Sequence, residues 1–222
     1  MASGVVRRAR RVSPTSVWLS WLGANVVPSV AVSVLLLLVA GSLGTDASAV
    51  VAYVALFALV ASMQARVWRR WRTTHGSAGA TGRRWTTWTI AGLVLAMFFG
   101  VGTVATLDGL GHERLGLVLG WAIAGLVLGL VQAPMLGVSA GRAVWWVVAC
   151  VVGWASAAAI YTPLAKVAAP VAETPGLRWL VGGLALEGNI ELAITVVTFA
   201  VYGMLTGAVL ARLTRVAGPG AP

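Results

Sequence analysis

The chain has 222 residues, of which 59% are hydrophobic and only 10% charged, and it carries a formal net charge of +10. A soluble core of this size could not hide so much apolar surface. The basic excess lies in a few loops and the chain ends rather than in one patch, which argues against a nucleic-acid partner.

Five or six long stretches nearly free of charge remain, at roughly 17–41, 49–68, 86–107, 115–137, 143–162 and 190–211, with Arg66 and Glu191 near the ends of two of them. Each is close to the 20 or so apolar residues that a helix needs to cross a hydrocarbon core about 30 Å thick. The expected fold class is therefore all-α, a polytopic integral membrane protein of about six transmembrane helices. A basic arm (1–16) precedes a single helical domain (17–212), and a short tail (213–222) follows.

The first stretch comes after Arg7, Arg8, Arg10 and Arg11. Ala47-Ser48-Ala49 resembles the small-residue site at which a signal peptide is cleaved, but the uncharged run over 12–45 exceeds the apolar region of about 7–15 residues that such peptides carry. A retained first helix is expected. Its neutral polar residues, Asn25, Ser29 and Ser33, surround Pro28, which frees a carbonyl one turn earlier that such side chains can satisfy.

The second and third stretches meet at two near-repeats, Arg69-Arg70-Trp71-Arg72-Thr73-Thr74 and Arg83-Arg84-Trp85-Thr86-Thr87. Guanidinium groups here favour the anionic inner leaflet by about 1 kcal/mol each. These residues form a candidate docking platform for anionic lipid or an acidic partner; the simpler reading is that they only set the threading.

Small residues recur every fourth position from the third stretch onward. The rows are Gly92, Ala96 and Gly100; Gly116, Gly120 and Ala124; Gly125, Gly129 and Ala133; Ala149, Gly153 and Ala157; and Gly203, Gly207 and Ala211. In lipid such rows let helix backbones approach closely. They serve packing within the chain or the seam of a homo-oligomer. Gln132 stands just before Pro134 in the fourth stretch. The lone cysteine, Cys150, reads as a small buried apolar residue.

Between the fifth and sixth stretches, Lys166, Glu173, Arg178 and Glu187 alternate with Pro163, Pro170 and Pro175. The prolines predict an interrupted outer loop, with a short interfacial or re-entrant segment near 177–186. Gly188-Asn189 predicts a break and a cap that would place Glu191 in the first turn of the last helix. On that helix Thr195, Thr198, Tyr202 and Thr206 share much of one face.

Six crossings from a cytoplasmic N-terminus put Arg7, Arg8, Arg10, Arg11, Arg66, Arg69, Arg70, Arg72, Arg83, Arg84, Arg142, Arg212 and Arg215 inside. Only Arg114, Lys166 and Arg178 stay outside, with all six acids at the outer side or edge. The expected location is the bacterial inner membrane. Trp18, Trp21, Trp68, Trp71, Trp85, Trp88, Trp145 and Trp146 then fall at cytoplasmic helix ends, where indoles prefer the headgroup level. Trp179 marks the outer interface, and Trp121 and Trp154 read as packing residues.

Two helix types recur. Trp21 and Ala24 match Trp146 and Ala149, and Gly129-Leu-Val-Gln132 matches Gly203-Met-Leu-Thr206, as in a decayed duplication. The pattern Trp146-x-x-Ala149-x-x-x-Gly153-Trp154 with Gly125-x-x-x-Gly129-x-x-Gln132 resembles the uncharacterised Trp/Gly/Gln-patterned multi-pass proteins of bacterial membranes. The resemblance covers the fourth to sixth helices best, and the first departs from it at Pro28-Ser29. It implies an architecture and no chemistry.

No Lys, Asp, Glu or His stands near the centre of any stretch. Intramembrane ionisable groups mark proton relays and catalytic centres, so no enzyme, catalytic residue, cofactor or metal site is expected; His112-Glu113 lacks zinc-binding spacing. What remains is neutral: Asn25, Ser29, Gln132, Thr195, Thr198, Tyr202 and Thr206 as a candidate polar path or interface, with Asn25, Gln132 and Tyr202 expected to converge. Two functions follow. One is a non-catalytic subunit or scaffold that packs against other membrane helices and anionic lipid; the other is a small-solute transporter or channel with a neutral polar path.

Overall fold

The computed structural model describes residues 13–43, 45–74, 81–172 and 186–216. These form six helices: α1 (Pro14–Leu43), α2 (Thr45–Thr74), α3 (Thr81–Gly109), α4 (Glu113–Leu136), α5 (Ala140–Ala172) and α6 (Leu186–Val216). All six are long and apolar enough to cross a membrane. Helices suit that role because each satisfies its own backbone hydrogen bonds.

Local chemistry sets several of the ends. Ser13 caps α1, accepting from the backbone N–H of Ser16 at 3.1 Å, and Pro14 follows at the first helical position, where its missing N–H costs nothing. Gly111 (φ +79°) turns the chain between α3 and α4, and Gly137 (φ 63°) ends α4 in the left-handed conformation.

Each helix packs against its neighbours in sequence, and α6 closes back on α1, so the bundle is a ring. Neighbours run antiparallel: Gly203 of α6 lies against Asn25 of α1 and Gly207 against Trp18 and Trp21, while Gly125 of α4 lies against Val151 of α5 and Gly129 against Val147. One end of the ring therefore gathers Arg66, Arg69, Arg70, Arg83, Arg84, Arg142 and Arg212. Asp108, Glu113 and Arg114 lie at the other.

Glycine sets the separation of the walls. A Cβ on Gly125 would come within 2.5 Å of the Cys150 carbonyl oxygen, and one on Gly120 within 2.6 Å of Gly100 O. Gly92 faces Leu128 and Val131, Gly116 faces Leu107, Gly129 faces Val147 and Cys150, Gly153 faces Tyr202, Gly203 faces Asn25, and Gly207 faces Trp18 and Trp21. Ala96 is also buried. The small-residue rows are thus spent within the chain.

The structure corrects three expectations. First, α5 continues through Pro163 and Pro170 to Ala172, so the prolines do not end it. Each removes a single N–H, and lengths of helix beyond the apolar span can tolerate that loss. Second, α6 starts at Leu186 and runs through Gly188-Asn189, which places Glu191 beyond the first turn; one Gly costs a helix only about 1 kcal/mol. Of the segment expected to be re-entrant, 177–185 lies outside the described residues.

Third, most of the indoles assigned to the headgroup level are interior. Trp21, Trp68, Trp71, Trp85 and Trp146 are buried, whereas Trp88 and Trp145 are 55% and 65% exposed. A ring of six helices leaves an axial space too wide for aliphatic side chains to fill, and indoles span it. Trp179 lies outside the described residues.

The repeat is threefold rather than twofold. Trp21, Trp85 and Trp146 occupy equivalent places on α1, α3 and α5, each followed one turn later by a buried Asn25, Thr89 or Cys150. On α2, α4 and α6 the matching runs are Ala61-Ser-Met-Gln64-Ala65, Gly129-Leu-Val-Gln132-Ala133 and Gly203-Met-Leu-Thr206-Gly207. The ring is three similar helix hairpins.

Candidate functional site

The inward faces build an aromatic layer near the arginine-rich end and a polar layer beneath it. Trp21, Trp85 and Trp146 meet edge to face, with centroids 5.9, 5.6 and 6.4 Å apart. Trp68 lies against Trp85 at 5.0 Å and Trp71 at 4.6 Å. Each such pair contributes about 0.5–1.5 kcal/mol beyond its buried area. A second aromatic group sits farther along the axis, where Trp154 stacks on Trp121 at 5.0 Å and touches Phe199 and Tyr202.

One turn from the indole layer the polar residues join in a directed chain. Gln132 Nε2 donates to Thr89 Oγ1 at 3.1 Å and, at a long 3.5 Å, to Gln64 Oε1. Gln64 Nε2 donates to Asn25 Oδ1 at 2.9 Å, and Asn25 Nδ2 to Trp21 O at 2.8 Å. The Trp21 indole then donates to Thr206 Oγ1 at 3.0 Å, which passes its own proton to Tyr202 O at 2.7 Å. Asn25, Gln64, Thr89, Gln132 and Thr206 are all buried. Burial makes each partner matter, since an unmet polar group in an apolar interior costs about 1–3 kcal/mol.

Asn25 and Gln132 are thus linked through Gln64, and Gln132 faces the axis rather than lipid. Tyr202 is buried on the same axis but turns its hydroxyl to Cys150 Sγ at 3.8 Å. Thr206 joins the chain through Trp21. Ser29 is buried and bonds within its own helix, to Val26 O, and Asn25 bonds Trp21 O; neither side chain goes to the Ala24 carbonyl that Pro28 leaves without a partner N–H. Thr195 and Thr198 are half-buried two to three turns from Thr206 and stand apart from the layer. The charged platform splits: Arg69, Arg70, Arg83 and Arg84 are exposed, with Arg69 lying over Gly82, while Trp71 and Trp85 point inward. Arg72 stands in the last turn of α2.

Gln64 and Thr89 escaped the sequence reading. Gln64 sits two residues from Arg66 and Thr89 one from Trp88, so both read as part of a headgroup-level end. The usable signal was the shared run of a small residue three positions before an amide or hydroxyl, as in Ala61–Gln64 and Gly129–Gln132.

Near this layer Gln132 Oε1 and the indole N–H groups of Trp85 and Trp146 keep unmet hydrogen-bonding capacity. Trp154 Nε1, in the second aromatic group, is also without a partner. Among the described residues, no group of three or more His, Cys, Asp or Glu could hold a metal ion. No protein-family model, curated protein or solved structure matches this chain.

Proposed function

We propose that the chain is a non-catalytic, multi-pass protein of the bacterial inner membrane that binds and passes small uncharged solutes along the axis of its ring. The arginine-rich end, with both termini, faces the cytoplasm, following the bias of basic residues toward that side. The observation that carries the reading is the buried chain from Thr89 and Gln132 through Gln64 and Asn25 to Trp21 and Thr206, uncharged at every link. A buried layer with no charged group among the described residues favours uncharged solutes, since an ion there would lack a counter-charge. Transporters built from repeats place their sites where the repeats meet, and this layer is where the three hairpins meet.

The subunit reading draws on Arg69, Arg70, Arg83 and Arg84, whose exposure suits anionic headgroups of the inner leaflet or an acidic partner. It loses the support of the small-residue rows, because these are spent inside the ring.

Proteoliposomes holding the full chain test the proposal. Glycerol, urea and acetamide gradients followed by light scattering should equilibrate faster than in protein-free vesicles, and Gln132→Leu should slow them. Equal rates with and without inserted protein, for all three solutes, would refute transport. Stoichiometric recovery of another membrane protein in mild detergent would instead establish the subunit reading.

A further inference from the structure

Gln132 Oε1 and the indole N–H groups of Trp85 and Trp146 belong to neighbouring helices and lie within about one turn of one another along the axis. Gly129 of α4 lies against Val147 and Cys150 of α5, so Gln132, one turn along an antiparallel neighbour, is level with Trp146. On the other side Gln132 holds Thr89, which is one turn from Trp85. The Trp85 and Trp146 rings are themselves 6.4 Å apart. One amide acceptor and two indole donors, all fully buried, thus surround a single stretch of the axis. Buried polar groups are rarely left without partners, and these three are complementary to one guest rather than to one another's present geometry.

We infer that Gln132 Oε1 and the indole N–H groups of Trp85 and Trp146 form a binding site for one small uncharged molecule that both donates and accepts hydrogen bonds, of the primary-amide or alcohol class. The guest's N–H or O–H meets Gln132 Oε1, and its oxygen receives the two indole protons. The rings touch edge to face at 5.6–6.4 Å, so the guest sits beside them rather than between them and has only a few heavy atoms. Ions are disfavoured, because among the described residues no charged side chain is buried in the layer to offset their desolvation. This assignment rests on the solute-binding reading above and names the class of solute.

The test uses full-length protein in detergent, with acetamide as probe and unfolding midpoint and tryptophan fluorescence as readouts. Acetamide should bind saturably. N,N-Dimethylacetamide, which cannot donate, should bind about tenfold more weakly, and acetate should not bind at all, one hydrogen bond being roughly a factor of ten. Trp146→Phe and Trp85→Phe keep the ring but remove the donor. Each should weaken acetamide about fivefold to tenfold, and each should also lower the unfolding midpoint of the unliganded protein, because phenyl is smaller than the buried indole it replaces. A merely structural indole would give the stability effect without the binding effect.

The inference is overturned if acetamide and glycerol give no saturable response, if the Phe variants and Gln132→Leu bind acetamide as the parent does, or if a high-resolution structure shows an ordered water only. Binding without flux would leave the site standing and remove transport. Flux that ignores all three substitutions would do the reverse.

Discussion

Replacing Gln64 by leucine cuts the polar chain at its centre, and the cost can be worked from the geometry. The change removes the 2.9 Å bond to Asn25 Oδ1 and the long 3.5 Å acceptor for Gln132 Nε2, while Gln132 keeps Thr89 at 3.1 Å. Volume is nearly conserved, so the packing term is small, and one well-formed bond is lost. One buried acceptor on Asn25 is left unmet, which costs about 1–3 kcal/mol in soluble proteins. Side-chain bonds between membrane helices average nearer 0.6 kcal/mol, with an upper value of about 1.7.

Gln64→Leu and Asn25→Leu should therefore each lose about 1–2 kcal/mol. The double variant should lose less than their sum, with a coupling of about 0.6–1.7 kcal/mol. Titration of the micellar protein with dodecyl sulfate, read by tryptophan fluorescence, measures this well because five buried indoles stand beside the chain. Thr103→Val is the additive control: Thr103 donates to Phe99 O of its own helix and lies about 20 Å along α3 from Thr89. Additivity of Gln64→Leu with Asn25→Leu to within about 0.3–0.5 kcal/mol would show that the chain contributes no interaction energy.

Gly125→Ala should destabilise the bundle by about 1–3 kcal/mol, because its Cβ would meet the Cys150 backbone, which cannot rotate away. Gly102→Ala, with nothing within 4 Å, should be neutral or slightly stabilising in the same titration. For the threading, Leu110→Cys in the α3–α4 turn should react with a membrane-impermeant maleimide in intact cells, whereas Ser139→Cys before α5 should react only after lysis; buried Cys150 stays silent. The opposite pattern would invert the orientation. Brominated lipids should quench fluorescence mainly through Trp88 and Trp145, so the double variant Trp88→Phe/Trp145→Phe should lose more of the quenching than Trp146→Phe does. Equal losses would mean that Trp146 meets lipid and that the inward indole layer is wrong.

Length and apolarity were enough to locate six helices, because crossing about 30 Å of hydrocarbon is a demand on consecutive residues alone. Arginine placement gave the two ends their different character in the same one-dimensional way. Helix-ending arguments fared worse: the prolines at 163 and 170 and Gly188-Asn189 carry penalties of a few kcal/mol or less, and continued helix absorbs them.

Which face of each helix looks inward was beyond local sequence, since an indole suits a headgroup layer and a wide core equally well. Closure of α6 onto α1, through contacts 185 and 186 residues apart, settles that choice for Trp21 and Thr206. Gln64 and Thr89 become functional candidates only when the ring sets them beside Gln132. A buried amide draws its meaning from its partner, and here Asn25, Gln64 and Gln132 each have a partner on another helix.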